Sequence, residues 1–223
     1  MSKSVLVVAA HPDDEVIGCG GIIARHVAEG DMVHVVFMAN GVAARAQNNS
    51  VELQDRNQAR DAAQSILGVA HWYALDFPDN RMDSVPLLGV VQALEQIIEE
   101  VQPRRVYTHH KGDLNVDHCV THQAVMTACR PVPGSSVREI LTFEVMSSTE
   151  WAAPGVMPFV PNAFIDISAY LPKKLEALTA YGMEMRPSPH SRSVAHIVAL
   201  ARHRGNCVGI EAAEAFEMVR IME

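Results

Sequence analysis

The sequence predicts a single α/β domain with a Rossmann-like fold, in which a mostly parallel sheet carries helices on both faces. Short apolar segments alternate with longer segments of helical spacing over residues 1–145. The first strands are continuously apolar, which is typical of parallel strands buried on both faces. We expect an α/β core over residues 1–145, and a lid-like loop, helices and a closing strand over residues 146–223 of the same domain.

Each element has a local signal in the sequence. Gly68 and Pro103 follow two of the helical segments and can end them, and Pro86 can open a helix. A polar loop is expected at 42–50, and the apolar, proline-rich segment 151–162 is expected to be a lid or a subunit contact. The predicted strands are 4–9, 32–38, 72–76, 104–109, 139–144 and 216–222. The predicted helices cover Val16 to Val27 and residues 51–67, 86–101, 116–129, 169–181 and 192–204.

Composition narrows the function classes. The formal net charge of −8, without clustered Lys and Arg, argues against a nucleic-acid partner. The apolar run at the N-terminus is shorter than the about 20 residues that span a bilayer, and no signal-peptide pattern follows it. The four cysteines are far apart and lack CxxC spacing, so we expect neither a disulfide framework nor a cysteine zinc site. A cytoplasmic location is the expectation.

The segment Ala10-His11-Pro12-Asp13-Asp14-Glu15 directly follows the first predicted strand. Three carboxylates and an imidazole this close together would repel one another and resist burial unless a cation lies among them. A divalent metal ion answers this need, with His11 and Asp14 as ligands and Asp13 facing whatever the ion binds. A helix-capping turn is the alternative interpretation, but capping explains one carboxylate rather than three with a histidine.

A second polar cluster, 109–118, follows another predicted strand, and His118 in it would complete a His, Asp, His ligand set. Nitrogen and carboxylate ligands with one open position suit catalytic zinc, with Fe²⁺ as the alternative ion. Such an ion lowers the pKa of bound water to about 7, and Asp13 could accept the proton. His122 lies on the same helix face and is the alternative ligand. Asp117 is expected to orient a neighbouring ligand.

Three motifs resemble those of the PIG-L or LmbE-like family of zinc-dependent N-acetyl amino-sugar deacetylases. They are the His-Pro-Asp-Asp-Glu turn, the segment Gly18-Cys19-Gly20-Gly21 and the pair Asp117-His118. The resemblance implies hydrolysis of an acetamide on a sugar, with the metal on His11, Asp14 and His118 and the general base on Asp13. It also implies that Arg56 and Asp79 hold the sugar.

The chain departs from that family at Asn115, where many members have a histidine three residues before the third ligand. An asparagine can donate a hydrogen bond to a developing oxyanion, but it cannot deliver a proton at neutral pH. Asp13 is therefore expected to perform both proton transfers, with His190 as a helper and His109 as another candidate. His110 is assigned to substrate binding. Glu15 is expected to be structural and to bond main-chain amides or Arg56.

Two other functions compete with deacetylation of a sugar. The same chemistry could act on another N-acyl substrate, as in antibiotic or thiol-cofactor pathways. A non-catalytic nucleotide-binding module is disfavoured, because no GxGxxG follows the first strand and three carboxylates would repel a pyrophosphate. The expected partner is a small molecule, and a homo-oligomer remains open.

Overall fold

The computed structural model describes residues 3–41, 50–153, 155 and 157–223, and builds a seven-stranded sheet in the order β3-β2-β1-β4-β5-β7-β6. Strands β1 to β5 run parallel, whereas β7 is antiparallel to both β5 and β6. The strands are β1 (Ser4–Ala9), β2 (Met32–Ala39), β3 (His71–Phe77), β4 (Arg105–His109), β5 (Glu139–Phe143), β6 (Ala163–Asp166) and β7 (Ala213–Ile221). The helices are α1 (Asp14–Ala28), α2 (Ser50–Leu67), α3 (Leu87–Val101), α4 (Val116–Ala128), α5 (Leu171–Ala180) and α6 (Val194–Asn206).

The predicted α/β fold with a mostly parallel sheet is confirmed. The main difference is β6, a four-residue strand that the sequence pattern did not predict and that pairs with β7 at the edge of the sheet. The closing strand β7 also begins three residues earlier than predicted, at Ala213. The polar loop predicted at 42–50 lies, for residues 42–49, outside the described residues.

Both faces of the sheet are buried, as the apolar strands indicate. In β1, Val5, Val7 and Ala9 belong to one apolar cluster, whereas Leu6 and Val8 belong to a second one. The first cluster includes side chains of α1, α2, α5 and α6, and the second includes side chains of α3 and α4. Side chains alternate across a strand, so a strand that contributes to both clusters must be apolar throughout.

The apolar segment that was expected to be a lid or a subunit contact begins in a short 3₁₀ turn, Thr149–Trp151. Trp151, Met157 and Val160 in this segment are exposed. The roles of lid and of subunit contact both remain predictions. Among the helices of the described ranges, none combines the length and the apolar composition that a bilayer span requires.

Helix α1 packs unusually close to its neighbours because it contains glycines. A Cβ atom on Gly18 would lie 2.4 Å from Phe143, and one on Gly21 would lie 2.7 Å from Ile167. Real Cβ atoms do not approach other heavy atoms this closely. The Gly18-Cys19-Gly20-Gly21 segment therefore lies inside α1 as a packing face, and it lets the helix that follows the His-Pro-Asp-Asp-Glu turn sit tightly on β5.

Two buried charges fix the same part of α1. The carboxylate of Glu214, on β7, accepts hydrogen bonds from the main-chain N–H groups of Gly21 and Ile22 at 2.8 and 2.7 Å. Lys174, on α5, donates to the carbonyl oxygen of Ile17 at 2.7 Å and to Glu214 at 2.6 Å. Because Lys174 and Glu214 are buried and pair with each other, they join α1, α5 and β7 into one unit.

We predict that Glu214→Gln lowers the free energy of unfolding by about 3–5 kcal/mol, because it leaves the Lys174 ammonium buried without its counter-charge. Urea denaturation at neutral pH measures this change. The matched control is Glu95→Gln, which breaks an exposed ion pair with Arg130. That control should change stability by less than about 1 kcal/mol. Equal effects of the two substitutions would show that the buried pair has no special role.

Candidate metal centre

Three side chains from two separate chain segments meet at the carboxyl edge of the sheet. His11 and Asp14 follow β1, and His118 lies in the first turn of α4, which follows the adjacent strand β4. One donor atom from each of the three lies within 4.8 Å of the others, and all three residues are buried. Both histidines approach the same oxygen, Asp14 Oδ2, at 3.3 Å from His11 Nδ1 and 3.2 Å from His118 Nε2.

This donor set fits a divalent metal ion. Two imidazole nitrogens and a carboxylate oxygen are ligands that zinc prefers, and three protein ligands leave a position open. The electrostatics also favour a cation. Burial acts to lower the pKa of His118, but the charges of Asp14 and Asp113 raise it to about 9. The set of His11, Asp14 and His118 can therefore bind either protons on its histidines or a metal ion in place of those protons.

The turn between β1 and α1 is fixed by its own polar groups. The main-chain N–H of His11 donates to Asp14 Oδ2 at 2.9 Å, and that of Asp13 donates to Glu15 Oε2 at 2.9 Å. The other oxygen of Glu15 accepts hydrogen bonds from Gln64 and Tyr181, both at 2.8 Å. Burial raises the pKa of Glu15 to about 7. Glu15 thus bonds a main-chain amide, as one alternative expected, and its side-chain partners in the described ranges are Gln64 and Tyr181.

Two further carboxylates hold the outer nitrogen of His11. His11 Nε2 lies 3.0 Å from Asp117 Oδ2 and 3.2 Å from Asp79 Oδ1. Asp117 also accepts hydrogen bonds from the main-chain N–H groups of Asn80 and Met82, at 2.6 and 2.9 Å. Asp117 therefore fixes His11 and the loop after β3 together.

Asp113 holds the outer nitrogen of His118, although the sequence reasoning gave Asp113 no role. Its Oδ1 lies 3.1 Å from His118 Nδ1, and the carboxylate accepts hydrogen bonds from Ser148, Thr149 and the main chain of Asn115. Burial acts to raise the pKa of Asp113, but the bonds from His118, Ser148 and Thr149 lower it below the usual range. The only sequence signal for Asp113 was its position in the polar cluster, five residues before His118.

The candidate ligands open into a cavity of about 180 Å³. Asp13 lies on its wall, where Oδ2 accepts a hydrogen bond of 2.8 Å from Arg192 Nη1 and Oδ1 lies 3.8 Å from Arg56 Nη2. Burial raises the pKa of Asp13, and the two guanidinium groups act against that rise. The cavity is lined by His11, Asp13, Asp14, Gly41, Arg56, Asp79, Asn80, Asn115, His118, Ser147, Ser148, Glu184 and Arg192.

Arg56 is held in place by a carbonyl and a carboxylate. It donates to the carbonyl oxygen of Pro12 at 2.7 Å and forms a buried ion pair with Glu184. A Cβ atom on Gly41 would lie only 2.7 Å from the same guanidinium. The position of Arg56 thus depends on a glycine at 41 and on a glutamate from the segment after α5.

Backbone strain is concentrated around this cavity. Among the described non-glycine residues, four have positive φ, and three of these four line the cavity: Asp13 (111°), Asn80 (52°) and Ser147 (67°). Such conformations are unfavourable for L-residues and tend to persist at functional sites, where the surrounding contacts enforce them. The strain supports the assignment of this cavity as the functional site.

Asn115 lines the cavity, but part of its amide group already forms hydrogen bonds within the protein. Its oxygen caps α4 by accepting a hydrogen bond from the main chain of Asp117 at 2.8 Å, and its Nδ2 donates to Asn80 at 3.1 Å. Within the described ranges, one N–H of that amide group has no acceptor and remains for another group.

Two residues with predicted roles, His110 and His190, are not among the cavity-lining residues. The ring nitrogens of His110 instead contact Glu217 at 2.7 Å and the carbonyl oxygen of Met157 at 2.8 Å. The ring of His190 accepts a hydrogen bond from the main chain of Arg192 at 3.0 Å and packs edge-on against Trp151. Arg192, rather than His190, is the side chain that this loop supplies to the site.

The two other candidate histidines are not among the cavity-lining residues, and they contact residues next to the candidate ligands. His109 Nε2 accepts a hydrogen bond from the main chain of Ala10 at 2.8 Å, and its ring stacks on His118 with centroids 3.9 Å apart. His122, the alternative ligand, bonds the carbonyl oxygen of His109 at 2.8 Å. The sequence reasoning also missed Ser147, Glu184 and Arg192, which come from loops without a periodic pattern.

A buried His, Asp, His group at the carboxyl edge of an α/β sheet, beside a further carboxylate, has the parts of a metal-dependent hydrolase. The family model described as PIG-L, GlcNAc-PI de-N-acetylase, matches residues 6–129, which is more than half of the 223 residues. The chain belongs to this family of deacetylases.

Two curated relatives of the chain are deacetylases by name, and one similar solved structure is a hydratase. The chain is 34% identical over 182 residues to the uncharacterized deacetylase YaiS of Escherichia coli K12, covering 79% of this chain and 89% of YaiS. It is 27% identical over 249 residues to the 1D-myo-inositol 2-acetamido-2-deoxy-alpha-D-glucopyranoside deacetylase of Mycolicibacterium smegmatis, covering 87% and 84%. Among solved structures, GalB, the 4-carboxy-2-hydroxymuconate hydratase from Pseudomonas putida KT2440, matches with a TM-score of 0.79 and 25% identity, covering 99% of this chain and 98% of GalB.

We predict that Gly41→Ala destabilises the protein more than Gly30→Ala does, by about 1–3 kcal/mol, the free energy of leaving buried polar groups unpaired. Both glycines have positive φ, so alanine at either position adds backbone strain of about 1–2 kcal/mol. Only the Gly41 substitution displaces Arg56, because no heavy atom of the described residues lies within 4 Å of a Cβ at Gly30. Urea denaturation of both variants measures the difference. Equal losses of stability would show that Arg56 tolerates the displacement.

Proposed function

We propose that this protein is a zinc-dependent hydrolase that removes the N-acetyl group from an amino sugar, either free or carried on a glycoconjugate or nucleotide. One observation carries the proposal: the buried ligand set of His11, Asp14 and His118 and the carboxylate of Asp13 open into the same cavity. The family assignment and the acetamido-sugar deacetylase among the relatives support the choice of substrate.

The ion would be held by His11, Asp14 and His118. We assign zinc from the donor set, with Fe²⁺ as the alternative. When bound, a divalent ion supplies Lewis-acid chemistry, which polarises the acetamide carbonyl and makes a water molecule more acidic. Asp79, Asp117 and Asp113 keep the two histidine rings oriented through their other nitrogens.

In the proposed reaction, Asp13 moves the protons. Its Oδ1 accepts a proton from the attacking water, whose oxygen bonds to the carbonyl carbon. The carbon–nitrogen bond then breaks, and Asp13 returns the proton to the leaving nitrogen, giving a free amine and acetic acid, which releases its proton to solvent as acetate. We assign both transfers to Asp13 because the Asn115 amide cannot deliver a proton at neutral pH.

The remaining cavity groups would bind the substrate. The free N–H of Asn115 donates to the acetamide oxygen as negative charge develops there. Arg56 and Asp79, on the wall of the cavity, bond hydroxyl groups of the sugar. His110 and His190 have no direct part in this proposal, because neither of them is among the residues that line the cavity.

We predict that Asp13→Asn lowers kcat by about 10²–10⁴-fold, because an amide of the same size cannot accept the proton. The assay is fluorescamine detection of free amine released from N-acetylglucosamine and its conjugates. The zinc content, measured by elemental analysis, should equal that of the wild type. Asp83→Asn, in an exposed turn, is the control and should keep full activity. Unchanged hydrolysis by Asp13→Asn at equal zinc content would refute the mechanism.

Metal removal provides an independent prediction. Dialysis against a chelator should abolish amine release, and added Zn²⁺ should restore it and raise the melting temperature. At a free metal concentration 100 times Kd, the stabilisation should be about 2.7 kcal/mol. His118→Ala should lose this metal-dependent stabilisation, whereas His203→Ala, at the exposed end of α6, should keep it. Anaerobic Fe²⁺ titration of the same apoprotein compares the two metals. A metal-independent melting temperature in the wild type would contradict the assignment.

A substrate panel separates this function from its competitors. Hydrolysis of longer N-acyl chains in preference to acetyl would favour another N-acyl substrate, although a pocket discriminates by only about 1–3 kcal/mol per methylene. Because the structurally similar GalB is a hydratase, the panel includes an unsaturated carboxylic acid, followed by its ultraviolet absorbance. Tight, metal-independent binding of a dinucleotide without turnover would favour a nucleotide-binding module.

A further inference from the structure

The guanidinium group of Arg192 lies against the proposed general base, outside the residues that the family model matches. Its Nη1 donates a hydrogen bond of 2.8 Å to Asp13 Oδ2 across 179 positions of sequence. The Arg192 side chain is 18% exposed and that of Asp13 is 2% exposed. A charge-assisted bond this deeply placed is strong and directional.

The loop before α6 holds Arg192 at this position. The main-chain N–H of Arg192 donates to the ring of His190 at 3.0 Å, and its carbonyl oxygen accepts from the main chain of Arg186 at 3.2 Å. Ser193, the next residue, caps α6 by accepting from the main chain of His196. His190 in turn packs against Trp151 at 5.6 Å between ring centroids. The backbone at Arg192 is thus fixed on both sides.

In this position, one N–H donor of the Arg192 side chain forms no hydrogen bond with the described residues. Arg192 Nε is buried and has no hydrogen-bond partner among the described residues. A buried unpaired donor is unfavourable by about 1–3 kcal/mol, so an arginine placed only for stability would be expected to satisfy it. The side-chain hydrogen bond that the described residues offer this guanidinium is the one to Asp13 Oδ2.

Asp13 needs such a partner because a cation held by the adjacent ligand set would attract its carboxylate. It has a strained φ of 111°, and it directly precedes Asp14, a candidate ligand. A carboxylate without a fixed partner could rotate towards the metal group and become a fourth ligand. Arg56 does not replace Arg192, since Arg56 lies 3.8 Å from Asp13 Oδ1 and pairs with Glu184.

We propose that Arg192 is a positioning residue that fixes Oδ2 of Asp13, so that Oδ1 faces the cavity and accepts the proton. This inference rests on the proposed function, in which Asp13 is the general base. Arg192 acts through Asp13 and does not itself contact the reacting atoms. The C-terminal part of the chain therefore completes the catalytic geometry that the N-terminal part begins.

The test compares Arg192→Ala, Arg192→Lys and the matched control Arg186→Ala. Arg186 is an exposed arginine of the same loop whose side chain donates to the carbonyl oxygens of Met183 and Met185. In the zinc-loaded enzyme, Arg192→Ala should lower kcat by about 10²-fold, the effect of misplacing a catalytic group by about 1 Å, with little change in KM. Arg192→Lys should recover part of this loss, and Arg186→Ala should match the wild type.

Chemical rescue distinguishes positioning from a general loss of structure. Guanidinium or methylguanidinium ions, added at concentrations below those that denature the protein, should fill the space left by Arg192→Ala and restore part of kcat. Sodium chloride and urea at the same concentrations should not. Zinc content and melting temperature are measured on every variant.

The inference is overturned if Arg192→Ala keeps the wild-type kcat, if it changes KM alone, or if its loss comes with loss of zinc and no rescue. Failure of the proposed function would look different, because the wild type itself would release no amine from any acetamide. In that case a crystal structure of Arg192→Ala still decides the positioning role. A carboxylate of Asp13 unmoved from its wild-type orientation would refute it.

Discussion

The central constraint on this protein is the burial of several carboxylates beside two imidazoles at one edge of a sheet. Asp13, Asp14, Asp113 and Asp117 are all buried there, and an uncompensated buried charge is very unfavourable. The chain meets this constraint with hydrogen bonds to main-chain amides, with histidines between carboxylates, and with guanidinium groups on the outer side. The surrounding loops supply several of these partners.

The N-terminal part of the fold could be predicted because its signals are local. Continuous apolar strands indicate a sheet buried on both faces, and strand-end clusters indicate where a site lies. The meeting of His118 with His11 and Asp14 followed from the topology, since β1 and β4 are neighbours and each cluster follows one of them. The four-residue strand β6 could not be predicted in this way, because its stability comes from pairing with β7 rather than from its own sequence.

The loop residues of the site could not be predicted for a related reason. Glu184 and Arg192 reach partners more than 120 positions earlier, with no repeat or spacing to reveal the pairing. The roles predicted for His110 and His190 stay predictions, because a histidine near a site has many other uses. His110 supports the segment around Met157, and His190 holds the backbone of Arg192. Both lie close to the site in sequence or space, yet neither is among the residues that line the cavity.

The pair of Lys174 and Glu214 has a consequence for how such proteins can be recombined. Residues from α5 and β7 hold the main chain of α1, which begins at the candidate ligand Asp14. A chimera that joined the first half of this chain to the second half of a relative would separate these partners unless the relative carried the same pair. Crossover points that keep α1, α5 and β7 from one parent should therefore be the ones that yield folded hybrids, even though they interrupt the chain at less obvious places.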